Sequence, residues 1–501
     1  MSQSTKPEYD VIVIGAGVVG PCIATAMARQ GRKVLIVERE WDEPNRIVGE
    51  LMQPSGLKSL KQLGMIKAVN NIGAVETTGY NISYHGKNLT IPYPTKDILT
   101  TIDTTPVQDV IKKGDEDKMD VNDKSLVAKV WEEDERVRGA AFHHGKFLTN
   151  LRTICLNESN VTKLDANVTE ILKEGAKAIG IQATLNNDEK TKKKIYSKLV
   201  VCCDGIYSKF RKELSSEHVP KIGSYFAGLD LIDAKLPAPN HGHVILGKHA
   251  PVLMYQISTH HTRILCAIRS EKLPSKATVI EYLKNTVSKS LPKETQPAFE
   301  KALNNNNNNT TDVYRAMPNQ FLTAILNDVP GLVVVGDALN MRHPLTGGGM
   351  TVGLNDAVLV TKLLSPEKIP DLADDISILE QMIEFHTERK NLAAVVNVLS
   401  IALYSLFAAD SKYLELLQQG CFAYFLKGGE CVNGPVSLLS GLCPNFFTLF
   451  YHFFSVAFYS CYINFQNKGI VGFPLALFEN ICVFITAVCV FSPYMWSEMM
   501  S

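Results

Sequence analysis

The feature that most constrains this chain is a strand-like run that ends in a glycine string. Tyr9-Asp-Val-Ile-Val-Ile14 is followed at once by Gly15-Ala-Gly17-Val-Val-Gly20. Val11 to Ile14 reads as a buried parallel strand, and Val18 to Arg29 as the helix after it. In that frame Gly15 permits the tight turn, Gly17 lets backbone approach a pyrophosphate, and Gly20 lets helix and strand pack closely. The pyrophosphate would rest on the free N–H groups at the helix start. A second strand, Lys33 to Val37, leads to Glu38, whose carboxylate can accept from adenosine ribose hydroxyls. The chain therefore opens as an α/β dinucleotide-binding unit.

Two further strings narrow the ligand. One is Asp204-Gly205-Ile-Tyr-Ser208-Lys-Phe-Arg211, and the other runs from Val333 through Gly336-Asp337 and Pro344 to Gly347-Gly348-Gly349-Met350. Gly336-Asp337 closes a strand over Gly331 to Val335, which puts Asp337 at a carboxyl end, where open α/β sheets bind ligands. Its carboxylate can accept from ribityl hydroxyls. The glycine triplet would bring backbone N–H groups and a helix start to a flavin ring, stabilising the negative charge that reduction places there. Three such strings in this order point to FAD and redox chemistry.

The 501 residues suggest two or three units, and a formal net charge of +0 gives no electrostatic case for nucleic acid. Eleven scattered cysteines suit a reducing compartment, no metal-ligating or Ser/His/Asp constellation is evident, and the stretch Met1 to Glu8 has no signal-peptide h-region. A discontinuous FAD-binding domain is expected over 9–75, 140–221 and 319–365. A β-sheet substrate-binding domain interleaves with it over 76–139 and 222–318, and 366–501 is a helical, membrane-associated region. Lys112 to Glu135 resembles a charged surface loop, and Asn304 to Asn309 a low-complexity insertion.

Within the last region Asn391 to Phe407, Phe446 to Ile463 and Asn480 to Ser497 are uncharged and apolar. The latter two approach the length that crosses a ~30 Å hydrocarbon core. A spanning hairpin, a pair dipping into one leaflet and a buried core layer all fit. If they form an anchor, everything from Pro444 onward should be removable with the cofactor domain intact. His143 and His144 are expected to make structural hydrogen bonds, His343 to position the flavin loop, and Glu384 to Lys390 to be a solvated helix face.

The long strings resemble the squalene monooxygenase (squalene epoxidase) family, flavoprotein hydroxylases with the p-hydroxybenzoate hydroxylase fold. The resemblance rests on Arg46-Ile-Val-Gly-Glu50-Leu-Met-Gln53-Pro54, Phe142-His-His-Gly145-Lys-Phe and the Asp204 and Gly336 strings. Leu403-Tyr-Ser-Leu-Phe407 and Gly429-Glu-Cys-Val-Asn-Gly-Pro435 are similar to the fungal branch. Ser55 in place of a frequent glycine, Lys146 in place of a frequent arginine, and the asparagine tract depart from the family pattern.

The resemblance implies epoxidation of squalene to 2,3-oxidosqualene with O2, in sterol (ergosterol) biosynthesis, with electrons from an NADPH–cytochrome P450 reductase. It implies FAD contacts from Val18, Val19, Glu38, Arg39, Arg46, Arg152, Val168, Asp337 and Met350. Tyr80 would hydrogen-bond near the flavin in the substrate and inhibitor pocket, and Phe407, Phe425 and Pro435 match positions tied to inhibitor sensitivity. Location on the cytosolic face of the endoplasmic reticulum, in contact with membrane lipid and with lipid droplets as a further site, follows from the same resemblance. A C30 hydrocarbon offers no polar handle, so its recognition rests on apolar area. Three rivals stand beside this reading: an isoprenoid reductase of the same fold, an aromatic-ring hydroxylase, and a non-redox lipid- or prenyl-binding escort.

Overall fold

The computed structural model describes residues 6–101, 103, 105–110, 136–304 and 313–501; the charged Lys112–Glu135 stretch and most of the asparagine tract lie outside them. The opening apolar run forms the strand Tyr9–Ile14, in parallel register with Val34–Glu38 on one side and Asp188–Cys202 on the other. Val161–Glu174 adds beyond Val34–Glu38, and Leu332–Val334 beyond Asp188–Cys202, all parallel. The two long strands run past this sheet and are bridged antiparallel by Lys177–Leu185. Helices Val19–Arg29 (α1), His144–Leu156 (α2) and Gly349–Leu363 (α3) accompany this sheet. Val11, Ile12, Val13, Val34, Ile36 and Val200 are wholly buried, as a parallel sheet covered on both faces requires.

A second sheet of seven strands has the order Arg315–Phe321, Lys221–Ile232, His261–Ile268, Val252–Gln256, His241–Leu246, Gly79–Tyr84, Lys87–Pro92. Its neighbours are antiparallel except His241–Leu246 beside Gly79–Tyr84. The strand Leu51–Met52 belongs to a small three-stranded sheet with Val75–Thr77 and Gly139–Ala141. The fold is α/β with a separate β-sheet layer, as the sequence leads one to expect.

From Asp375 the chain is helical: Asp375–Ala408 (α4), Lys412–Phe425 (α5), Glu430–Leu439 (α6), Phe446–Lys468 (α7) and Phe473–Met500 (α8). α4, α7 and α8 are long and apolar enough to cross a membrane, with mean hydropathy 1.8, 1.3 and 2.1 over their most apolar windows. α4 is mostly covered by protein, whereas α7 and α8 bury only about a third of those windows. On α7 the stripe Leu449, His452, Val456, Ser460 and Asn464 is buried, and Phe447, Tyr451, Phe458 and Tyr462 on the other side are exposed.

Two expectations need correction. Arg389 is not part of a solvated face: it is 1% exposed and pairs at 3.0 Å with the fully buried Asp356 of α3. The α7–α8 pair is also more than an outward-facing anchor. Its inner face packs on α4 and α5, burying Val456, Ala457, Val483, Ala487 and Phe491.

Candidate active site

A cavity of about 610 Å³ lies between the parallel sheet and the seven-stranded sheet. One end is polar and glycine-rich. Gly15 has φ +98°, and a Cβ there would meet the Cys203 carbonyl oxygen at 2.6 Å, so only glycine fits. A Cβ on Gly20 would come within 1.9 Å of the Gly15 oxygen, which makes that position a packing contact away from the cavity. Gly17 and Gly349 differ, because a Cβ on either would meet nothing within 4 Å, and both line the cavity. Backbone at both helix starts is thus open to a ligand.

Around this end stand Glu38, Arg152, Asp204 and Asp337. Glu38 accepts from the backbone N–H of Ala16 at 2.7 Å, of Arg39 at 2.9 Å and of Glu40 at 3.1 Å. A carboxylate has about four acceptor positions, so one stays open for a hydroxyl. Arg152 donates to the carbonyls of Ala16, Trp41 and Asp42, which pins its guanidinium at the wall. Asp204 Oδ1 and Arg342 Nε are buried at the lining with no partner among the described residues. Such orphaned groups are costly unless a ligand or water satisfies them. Burial pushes the Asp337 carboxyl up from its usual range, opposed by the guanidiniums of Arg342, Arg46 and Arg211. Val18, Val19, Val168 and Met350 line the same end, and Arg39 and Arg46 stand at its exposed rim.

The other end is apolar. Leu253 and Leu265 from the second sheet meet Met317 and Leu345 there, and Tyr80 and Tyr255 contribute rings. Burial raises the pKa of Tyr80, which keeps its phenol protonated. Gln53 fixes that phenol: its amide donates to the Tyr80 hydroxyl at 2.5 Å and to the Thr346 carbonyl at 2.6 Å, and its oxygen accepts from the Tyr93 hydroxyl at 2.6 Å. Tyr80 is therefore tied to the glycine-rich loop through one glutamine.

Phe407, Phe425 and Pro435 are buried, the two phenylalanines in the same apolar cluster as Tyr80, but none of the three is in the cavity wall. His144 donates from Nδ1 to Gly49 O at 2.9 Å, with burial holding its pKa down at about 4. His343 lies behind the loop, accepts from Leu345 N at 3.2 Å, stacks on Tyr404 and is held neutral, with a pKa of about 3, by burial.

Sequence reasoning missed three groups. Gln53 and Tyr93 form the Tyr80 network, Glu50 at the lining makes a two-point ion pair with Arg263 (2.7 and 2.9 Å), and Asp356 accepts from Gly336 N. Glu50 and Gln53 stood within a long motif string, and that was their one available signal. Arg263 carried none.

Comparison with known proteins supplies the rest. A family model described as squalene epoxidase matches residues 196–478. A squalene epoxidase of Candida albicans is 55% identical over 497 residues, covering 98% of this chain and 99% of that one. One of Saccharomyces cerevisiae is 50% identical over 494 residues, covering 98% and 96%. Among solved structures, the flavin-dependent brominase Bmp2 superposes with TM-score 0.65 at 14% identity, over 90% of this chain and 98% of that one. That last likeness is one of fold.

Proposed function

Because this chain belongs to the squalene epoxidase family, we propose that it epoxidises squalene inside the cavity just described, with FAD at the glycine-rich end and the hydrocarbon at the apolar end. The observation that carries this reading is that a single cavity is lined both by Gly17 and Asp337 and by Leu253 and Leu265. FAD, when bound, supplies two electrons and the activation of O2, one oxygen atom of which enters the alkene while the other leaves as water.

The chain's own residues do the holding. Gly17 and Gly349 leave backbone N–H groups bare for the pyrophosphate and the ring, with Val18, Val19, Val168 and Met350 beside them. Glu38 keeps an acceptor position for the ribose, and Asp337, Asp204 and Arg342 supply polar atoms for the rest of the cofactor. Arg39, Arg46 and Arg152 set a positive rim for the phosphates. At the other end the aliphatic wall excludes water and recognises squalene through apolar area alone. Tyr80, protonated and fixed by Gln53, is a polar group that the sheet contributes to the lining.

The exposed stripe of α7 and the tip residues Ile470 and Val471, 94% and 98% exposed, support membrane attachment. Since the inner stripe packs lengthwise on α4 and α5, the reading is one face in a single leaflet. The cytosolic face of the endoplasmic reticulum, a lipid-droplet location and an NADPH–cytochrome P450 reductase as donor belong to the same family reading. Flavin content tests the site: the full chain should purify yellow and Asp337→Ala should lose the colour. An equally yellow variant would move the cofactor site elsewhere.

A further inference from the structure

Behind the glycine-rich loop a buried chain of hydrogen bonds runs away from the cavity and ends on α8. Asp356 accepts from Gly336 N at 3.2 Å and from Arg389 Nε and Nη2 at 3.0 Å each. Arg389 Nη2 also reaches the side-chain oxygen of Asn340 at 3.5 Å. That oxygen accepts from Arg342 Nη2 at 2.9 Å and from Asn397 Nδ2 at 3.2 Å. Asn397 Nδ2 is shared with Glu498 Oε1 at 2.8 Å. Asn340, Asp356 and Asn397 are fully buried, and Glu498 is 5% exposed. The same helix turns Ile481, Ile485 and Trp496 outward, each more than half exposed.

Charge follows the same path. Arg342 faces Asp337, Asp356 and Glu498, with Arg389 alongside, and Lys390 faces Glu498. Three carboxylates thus answer three cations. In a low-dielectric interior one uncompensated charge is felt over several residues, so each carboxylate matters to the others.

We propose that Glu498 is a positioning residue for the cofactor loop: through Asn397 and Asn340 it holds the Gly336–Gly349 segment and offsets the positive charge of Arg342 and Arg389 behind it. α8 then has two roles, a lipid-facing outer stripe and an inner carboxylate that sets the field at the redox site. The inference rests on the reading of this cavity as an FAD site.

The test is spectroelectrochemical titration of the full chain with bound FAD, in detergent or in phosphatidylcholine vesicles. Glu498→Gln keeps the hydrogen bond to Asn397 and removes one negative charge. The remaining guanidiniums should then favour the anionic reduced flavin, and the midpoint potential should move to a more positive value. Glu498→Asp, which keeps the charge, should stay near the parent value.

Glu479→Gln is the control on the same helix. Glu479 is also shielded from solvent, 1% exposed, but it is paired with Lys412 and Lys468 and, among the described residues, has no bond to the loop. It should leave the potential where it was, even if it lowers the melting temperature. Where Glu498→Gln does not fold, Asn397→Ala reads the same link as a several-fold faster loss of FAD. An unmoved potential in Glu498→Gln, or equal shifts from both glutamine variants, overturns the proposal. A parent protein without flavin would bring down the cofactor reading itself, and this inference with it.

Discussion

The opening strand–helix unit and the closing helical pair are both apolar, yet they treat their side chains differently. In Tyr9–Ile14 and α1 nearly every apolar residue is buried, with Val11, Ile12, Val13 and Ile23 at 0% exposure. In α7 and α8 the apolar residues divide between a face packed on the protein and a face turned outward. A local contact explains part of the first case, because Gly20 packs against the nearby Gly15 backbone and so brings helix and strand together. Burial in the second depends on what lies opposite, and α4 and α5 come from elsewhere in the chain. Hydropathy alone gives the same reading for α4 as for α8, although α4 is mostly core.

The widest test of this contrast is deletion from Pro444 onward. Were the pair a pure anchor, the remainder would stay folded and soluble. The structure expects the opposite. The deletion uncovers the partners of Val456, Val483 and Phe491 and removes the Glu498 bond, and each lost apolar burial costs about 1.5–3 kcal/mol. Soluble yield and flavin content should collapse. A monodisperse, yellow truncated protein would restore the anchor reading.

Breaking the Arg389–Asp356 pair tests the junction between the two regions. Arg389→Met leaves a buried carboxylate unpaired against Gly336 N, and such losses cost about 3–5 kcal/mol. Chemical denaturation should show that loss, together with weaker FAD retention. A change below 1 kcal/mol, on the order of a surface ion pair, would return Arg389 to the solvated face.

Acid should act on the cavity side first. His144 and His243 are buried neutral with pKa near 4, and His343 near 3, against 6.5 when exposed. The unfolded chain therefore binds more protons than the folded one between these values. Stability is fully present above pH 6.5 and falls as pH drops toward 4, by on the order of 3 kcal/mol for His144. Melting temperatures measured from pH 7 to 4.5 should decline, and His144→Gln should decline less. A flat profile would mean that these rings are protonated in place.

The smallest effect belongs to Tyr80→Phe. It removes one hydrogen bond to Gln53, about 0.5–1.5 kcal/mol net, and should leave fold and flavin intact while lowering turnover. Unchanged steady-state kinetics would place Tyr80 outside the reacting region.

Much of this was legible beforehand, for a physical reason. Strand–glycine–helix units are local, so the residues of Tyr9 to Arg29 state their own geometry, and so do Gly336 and Asp337 after Leu332–Val334. Pairs across the fold have no such signature. Glu50 and Arg263 stand 213 residues apart, and Asp356 and Arg389 stand 33 apart on different helices. Arg389 stands between Glu388 and Lys390, a run that reads as an ordinary exposed helix face, so its sequence neighbours gave no sign of a buried pair.

The central claim, that one cavity brings reduced flavin and squalene together, is tested most directly with isotopic oxygen. The full chain in lipid vesicles would be given FAD, an NADPH-driven reductase, squalene and 18O2, and the product analysed by mass spectrometry. The account predicts 2,3-oxidosqualene carrying one 18O atom. A hydrogenated squalene, or an epoxide whose oxygen comes from water, would contradict it.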